Sequence, residues 1–455
     1  MKTKIRIASG QGFWGDLLEA PYWQVTKGPI DYLVMDYLAE VTMSILQKQK
    51  KKDPNLGYAR DVPELMKRIL PICLEKDIKI VTNGGGVNPY SCAIEVKRVA
   101  DSLGLRNFKI GVVLGDDILH RIDEFLQMGI DLRNMETGES ISNIKSNLLS
   151  ANVYFGSQPI VEALQQGAQI VITGRTTDTG ITLAPMIYEF GWSYDDYNLM
   201  AAGTVAGHVL ECGAQSTGGN FLGEWESVEN MAEIGFPIAE VYPNGDIIIT
   251  KHENLGGLVS IETVAEQLVY EIGNPEEYIT PECIADFTSI QLEEVEKHRV
   301  RIFNVKGKPP TEFYKVSCSY FDGYSAVGTL TYSWPKALSK ARKADEIIRR
   351  RLEMLGLQFD EIRTEFVGYN SCFGKLAKEI DEDLINEVVF RIAVRGKDYN
   401  SVERFGREIA PLVLTGPPGV TGFAGGRPRA SEVVAYWPSL IPKSLVQPQI
   451  QIVEV

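Results

Sequence analysis

The chain has 455 residues, 44% hydrophobic and 23% charged, with a formal net charge of −14. That length exceeds one simple core, so two domains of roughly 150–250 residues each are expected in a soluble globular protein. The acidic balance repels a phosphate backbone, which argues against nucleic acid, and no run of about 18 apolar residues reads as a membrane span.

In chain order, the opening segment Met1-Lys2-Thr3-Lys4 leads straight into a strand pattern, without the apolar stretch of a secretory signal. Strands are expected at 5–9, 32–36, 78–82, 109–114 and 169–173, each a short run rich in Ile and Val. Such runs suit strands buried on both faces of a parallel sheet. Helices fall between them. One over 62–76 carries Pro63 in its first turn. Another starts at Asn88-Pro89, and a third runs from a Ser157 cap to Gly167. Lys48 to Lys52 read as a solvated helix C-terminus. This is the grammar of an α/β domain.

Beyond a helix over 262–272, ended by Gly273-Asn274-Pro275, the pattern changes. Extended runs at 300–305, 313–320 and 325–334 come next, with a hairpin turn at Phe321-Asp322-Gly323. A charged helix at 336–355 and strands at 362–369, 387–394 and 433–437 complete an α+β half with a mostly antiparallel sheet. The expected fold is therefore an α/β domain over 1–255 carrying the site and an α+β domain over 256–455. Sheet edges that need covering suggest a two-fold homo-oligomer. The six cysteines are scattered with no C-x-x-C pair, as in a reducing cytoplasm.

The residues just past each strand of the first half carry the chemistry: "GQGFWGD", Asp36 with Glu40, "NGGGVNP", "GDD" and "GRTTD". Ligands of open α/β sheets bind beyond the carboxyl ends of the strands, and glycine lets backbone approach them. Asp36, Asp116 and Asp178 are candidate proton-transfer groups. Arg175 and the backbone N–H groups from Asn83 through Gly84 and Gly85 to Gly86 are candidate anion holders. Each of Asp16, Asn88, Asp117 and Asp178 also sits where a helix N-cap belongs; the coincidence across several loops is what suggests a site.

Gly10, Gly12 and Gly15 fit G-x-G-x-x-G, with Asp36 where a ribose-binding acid would lie. Bulky Phe13 and Trp14 in the turn and the negative Asp16 argue against NAD, so Gly10 and Gly12 are expected to line a substrate pocket, with Trp14 as wall or core. Farther on, His208, Glu211, Cys212 and Gln215 share one face if helical, a candidate acid/base pair or metal half-site. The loop Ser216 to Asn220 could close over a ligand, with Asn220 at its tip. "TGPPGVTGFAGGRPR", Thr415 to Arg429, could be a lid or an anion clamp through Arg427 and Arg429.

The segments "GFWGD", "DYLVMDYLAEVTMSIL", "VTNGGGVNP", "IVITGRTTDT", "AAGTVAGHVLECGAQSTGGNF" and "EQLVYEIGNPEEYITPECIADF", in this order, resemble the acyclic terpene utilisation (AtuA) family, and the likeness extends to "VVAYWPSLIPKSLV". The resemblance implies a role in the breakdown of branched acyl-CoA intermediates. Some members carry an additional small C-terminal domain, which this chain is expected to lack, leaving room for a small partner subunit.

The leading expectation is an enzyme acting on a small anionic carboxylate or acyl thioester by lyase or hydratase chemistry, with a base near a carbon alpha to a carbonyl and donors for the enolate. Its catalytic candidates are Asp36, Asp116, Asp178, His208 and Glu211. Its substrate-binding candidates are Gly10, Gly12, Asn83, Gly84, Gly85, Arg175 and Asn220. Two or three carboxylates could instead share Mg²⁺. The alternatives are a non-enzymatic subunit or scaffold and, third, an NAD-dependent oxidoreductase.

Overall fold

A computed structural model describes residues 2–422 and 425–455. Phe423 and Ala424, within the late Gly/Pro segment, therefore lie outside the described residues.

The apolar runs become strands β1 (Ile5–Gln11), β2 (Tyr32–Met35), β3 (Lys79–Thr82), β4 (Lys109–Leu114), β5 (Leu148–Val153) and β6 (Ile170–Thr173). All but β5 pair in parallel, in the order β1-β2-β3-β6-β4. Helices α1 (Ala20–Thr26), α2 (Glu40–Lys52), α3 (Asp61–Glu75), α4 (Pro89–Ser102), α5 (Ile122–Gln127), α6 (Gln158–Gln165), α7 (Gly180–Phe190) and α8 (Tyr197–Glu211) alternate with them.

One face of the sheet packs on α3 and α4: Leu33, Ile80, Ile110, Val112 and Ile172 share a core with Val62, Met66, Ile69, Cys92 and Val96. Each of the aliphatic side chains contributes about 1.5–3 kcal/mol by leaving water. The opposite face carries α6 and α7. Gly111 leaves room for Ala163 of α6, where an added Cβ would lie 2.8 Å from the Ala163 Cβ. Tyr32 reaches Glu189 of α7 at 2.7 Å.

The helix after β3 thus covers one face, and the helix after β6 covers the other. Adjacent strands whose connections diverge leave a crevice beyond their carboxyl ends. Asn83 and Arg175 stand at that point.

α8 is built of Ala, Gly, Thr and Val and is buried from Met200 to Leu210, as a helix that is apolar all round must be. Its glycines set its distance from α7. An added Cβ at Gly203 would lie 2.3 Å from Leu183, and one at Gly207 would lie 2.6 Å from the Thr179 Cα.

The chain divides into two compact units, residues Met1–Ser319 with Tyr436–Val455, and Tyr320–Ala435. The sequence placed the change at 255/256. The difference arises because 256–319 still serve the first sheet: Arg299–Phe303 and Gln291–Glu296 extend it antiparallel beyond Ile238–Val241 and Ile247–Thr250, and Gln449–Glu454 adds antiparallel beside β4.

The smaller unit has antiparallel strands in the order Glu361–Val367, Glu387–Gly396, the end of Phe313–Ser333, and Val420–Gly422. Helices Ala337–Met354 and Tyr399–Ile409 share one core with the sheet. In chain order this is the split β-α-β-β-α-β arrangement. The hairpin expected at Phe321-Asp322-Gly323 does not form, since Phe313–Ser333 is one strand of 21 residues. Gly323 takes φ 96° within it, and Asp322 is tied to Arg395 and Lys397 rather than closing a turn. Among the described residues no helix is long and apolar enough to cross a membrane.

Candidate functional site

The larger unit gathers its polar side chains where the parallel strands end. Asp36 and Asn83 follow β2 and β3 and are buried. Asn83 Nδ2 donates to Asp36 Oδ1 at 2.6 Å, and Asn83 Oδ1 accepts the Tyr37 N–H at 2.8 Å. Burial, then the Asp178 charge, pushes the Asp36 carboxyl well above its usual range.

Asp116, beyond β4, is held in a similar way. Its Oδ2 accepts from Asn152 Nδ2 at 2.9 Å and from the Arg175 N–H at 2.8 Å. Burial raises its pKa to about 7. Between about pH 4 and 7 the unfolded chain releases this proton while the folded chain keeps it, so folding loses stability as pH rises through that window. Asp116→Asn keeps an acceptor for the Arg175 N–H. It is expected to leave stability unchanged near pH 4 and to raise it near pH 8 by about 4 kcal/mol. Urea unfolding at both pH values checks this; equal stability of the two proteins near pH 8 contradicts it.

Arg175 follows β6. Its side chain is 2% exposed, and Nη1 donates to Leu38 O at 2.7 Å and to Asp178 Oδ1 at 2.8 Å. The guanidinium lies 4.2 Å from the centre of the Tyr154 ring. Burial would favour the neutral form, but Asp178, Tyr154 and Asp36 outweigh it and keep Arg175 charged. Among the described residues its Nε has no hydrogen-bond partner.

A cavity of about 470 Å³ opens beside this group, within the usual range for small-molecule sites. Its polar lining includes Arg175, Asp178, Thr177, Glu40, Tyr154, Lys315 and Glu271. Met135, Ile279, Phe313 and Leu440 form an apolar wall. Glu40 opens α2, accepts the Tyr154 hydroxyl at 2.9 Å and lies 3.7 Å from Lys315 Nζ. Burial acts to raise the Glu40 carboxyl, but Arg175 and Lys315 help to hold it below the usual range. Burial keeps Tyr154 protonated by raising its pKa. Thr177 Oγ1 is buried with no hydrogen-bond partner among the described residues.

Of the residues singled out from sequence, Arg175, Asp178 and Glu40 line this cavity. Asp36, Asn83 and Asp116 lie outside its lining, in the buried layer that shapes the loops. Gly10 packs on Leu33, Met35 and Pro21, and an added Cβ at Gly12 would meet the backbone of Glu211 to Gly213 at 2.8–3.0 Å. Gly84 abuts Val62, and Gly85 abuts Thr173 O and Pro89. These glycines permit close backbone packing and do not line the cavity. Trp14 packs against the core. The Asp16 carboxylate accepts the Gly12 N–H at 2.8 Å, and α1 starts only at Ala20, so the glycine turn does not open directly into a helix. Asn88 stands at the α4 N-cap, but its side chain binds Pro54 O and Leu56 O instead of capping.

α8 ends at Glu211, so Cys212 and Gln215 leave the expected helical stripe. His208 Nδ1 lies 2.8 Å from Glu211 Oε1, and His208 Nε2 lies 2.9 Å from Gln267 O. The pair sits behind Tyr278, a cavity residue whose ring centre is 5.5 Å from that of His208. Ser216 and Thr217 are buried in a 3₁₀ turn rather than a mobile loop, and Asn220 is exposed outside the cavity lining. Arg427 and Arg429 are exposed in the smaller unit. Among the described residues no three His, Cys, Asp or Glu side chains form a metal-binding set.

Sequence reasoning missed Tyr154, Lys315, Glu271 and Tyr278. Tyr154 lies one residue past β5, in "SANVYFG", where a strand-end rule applied to β5 would have found it. Nothing local in sequence marks Lys315.

The family model for acyclic terpene utilisation family protein AtuA matches residues 5–452. No curated protein matches. Among solved structures, an aspartate kinase from Clostridium acetobutylicum aligns over 94% of this chain and 86% of its own at 10% identity, with a TM-score of 0.17.

Proposed function

Because the chain belongs to the acyclic terpene utilisation family AtuA, we propose that it is an enzyme acting on a small branched carboxylate or acyl thioester by lyase or hydratase chemistry. The observation that carries the reading is one cavity combining two cations, three carboxylates and an apolar wall.

Such chemistry needs a base for the carbon-bound proton, donors for the oxygen that gains charge, and an acid for the leaving group. Asp178, with 37% of its side chain exposed, is the base. Arg175 and Lys315 hold the carboxylate or enolate oxygen. The hydrocarbon rests on Met135, Ile279, Phe313 and Leu440. Asn83 and Asn152, through Asp36 and Asp116, position the loops that carry these groups.

The test is thermal unfolding with 3-methylbut-2-enoate and with its CoA thioester. A ligand at 100 times its dissociation constant stabilises by about 2.7 kcal/mol, a shift of several degrees. At least one of the two is expected to bind the wild type, and Asp178→Asn to retain binding but lose turnover. Absence of binding by both overturns the proposal.

A further inference from the structure

We infer that a second cavity of the larger unit, lined by Glu282 and Lys443, binds a small amino acid, with the ligand ammonium on Glu282 and the ligand carboxylate on Lys443. The site is separate from the one assigned above and does not depend on that reading.

The cavity measures about 260 Å³, below the usual range for drug-sized ligands. All its lining residues belong to the larger unit, and Pro281 also borders the cavity beside Arg175. Prolines and the rings of Tyr194 and Tyr314 supply its apolar surface.

Glu282 lies in the turn between the short strands Tyr278–Ile279 and Ile284–Asp286 and is 6% exposed. Its Oε1 accepts the Ser157 N–H and, at 2.7 Å, the Ser157 hydroxyl. Ser157 precedes α6, whose first N–H groups need acceptors, so Oε1 serves the fold. Oε2 has no hydrogen-bond partner among the described residues. Capping α6 explains one oxygen and leaves the other open, and a buried polar atom left unpaired costs free energy. The backbone makes room for the group: a Cβ added at Gly156 would lie 2.8 Å from Glu282 Cδ.

Lys443 supplies the opposite charge. Its Nζ donates to Pro281 O at 2.8 Å and lies 5.6 Å from the centre of the Tyr314 ring. An ammonium carries three hydrogens, so the bond to Pro281 O leaves donors for a ligand. Burial lowers the Lys443 pKa, against the charges of Glu282 and Glu312; a ligand carboxylate would support the charged form further. Asp195, the remaining charged group of the lining, is exposed to water, which weakens its field.

These two poles select the ligand. A plain amine would meet Glu282 but bring a second cation beside Lys443. A plain carboxylate would meet Lys443 but face the open oxygen of Glu282. A zwitterion meets both and adds no net charge. The volume and the proline and tyrosine walls suit a short apolar side chain, as in alanine or valine.

Calorimetry with L-alanine and L-valine tests the site, with propylamine and propionate as single-pole controls. At least one of the amino acids is expected to bind with a millimolar or lower dissociation constant, and both controls at least roughly tenfold more weakly. Glu282→Gln keeps an oxygen for the Ser157 N–H, and Lys443→Met keeps most of the stem; each is expected to weaken amino-acid binding by roughly tenfold or more. Asp178→Asn, which alters only the other cavity, is expected to leave it unchanged. Should Glu282→Gln fail to fold, Lys443→Met on its half-buried turn decides the matter. The inference is overturned if neither amino acid binds, if either control binds as tightly, or if Lys443→Met leaves the affinity unmoved. Failure of branched carboxylates and thioesters to bind would instead sink the catalytic reading and leave these results unchanged.

Discussion

Arg175→Met is expected to lower the stability of the protein by roughly 1–3 kcal/mol and to abolish binding of a small carboxylate. Most of that cost comes from the buried acceptor Leu38 O left without its donor, since the Asp178 side chain, 37% exposed, can be rehydrated. Here Asp178 loses its cation, Leu38 O loses its donor, and Asp36 loses the charge that partly offsets its burial. The methionine still fills space over the Tyr154 ring, which separates the electrostatic loss from a cavity effect. Urea unfolding reads the stability and calorimetry the binding. A variant as stable as the wild type would show that the guanidinium is peripheral.

Gly207→Ala is expected to destabilise by about 2 kcal/mol, although alanine favours a helix interior by up to about 1 kcal/mol over glycine. The added methyl would lie 2.6 Å from Thr179 Cα and 2.8 Å from both Thr179 Cβ and O. Backbone cannot rotate away as a flexible side chain can, so α7 and α8 must separate. Gly273→Ala, where nothing lies within 4 Å of the added atom, is the control and is expected to be neutral. The urea midpoints of the two variants decide it; equal midpoints would contradict the close crossing of the two helices.

The sheet was legible in the sequence because its parallel strands are short, mostly apolar runs buried on both faces. Arg175 and Asp178 were legible as residues just past such a strand. The glycines misled because glycine marks close backbone approach of any kind: at Gly12 the neighbour is the end of α8, and at Gly85 it is Thr173 and Pro89. Lys315 was not legible, since its position depends on β5 pairing with a strand more than 150 residues away. The unit boundary was hidden for a similar reason. The strands at 291–296 and 299–303 alternate like those of an antiparallel domain, yet they join the edge of the first sheet.

The central claim is that the cavity beside Arg175 binds a small branched carboxylate, free or as its thioester. A crystal structure of the protein grown with 3-methylbut-2-enoate tests it most directly. The account predicts the carboxylate within hydrogen-bond distance of Arg175 or Lys315 and the methyl groups against Ile279 and Phe313. A ligand seated elsewhere, with this cavity holding only water, would contradict it.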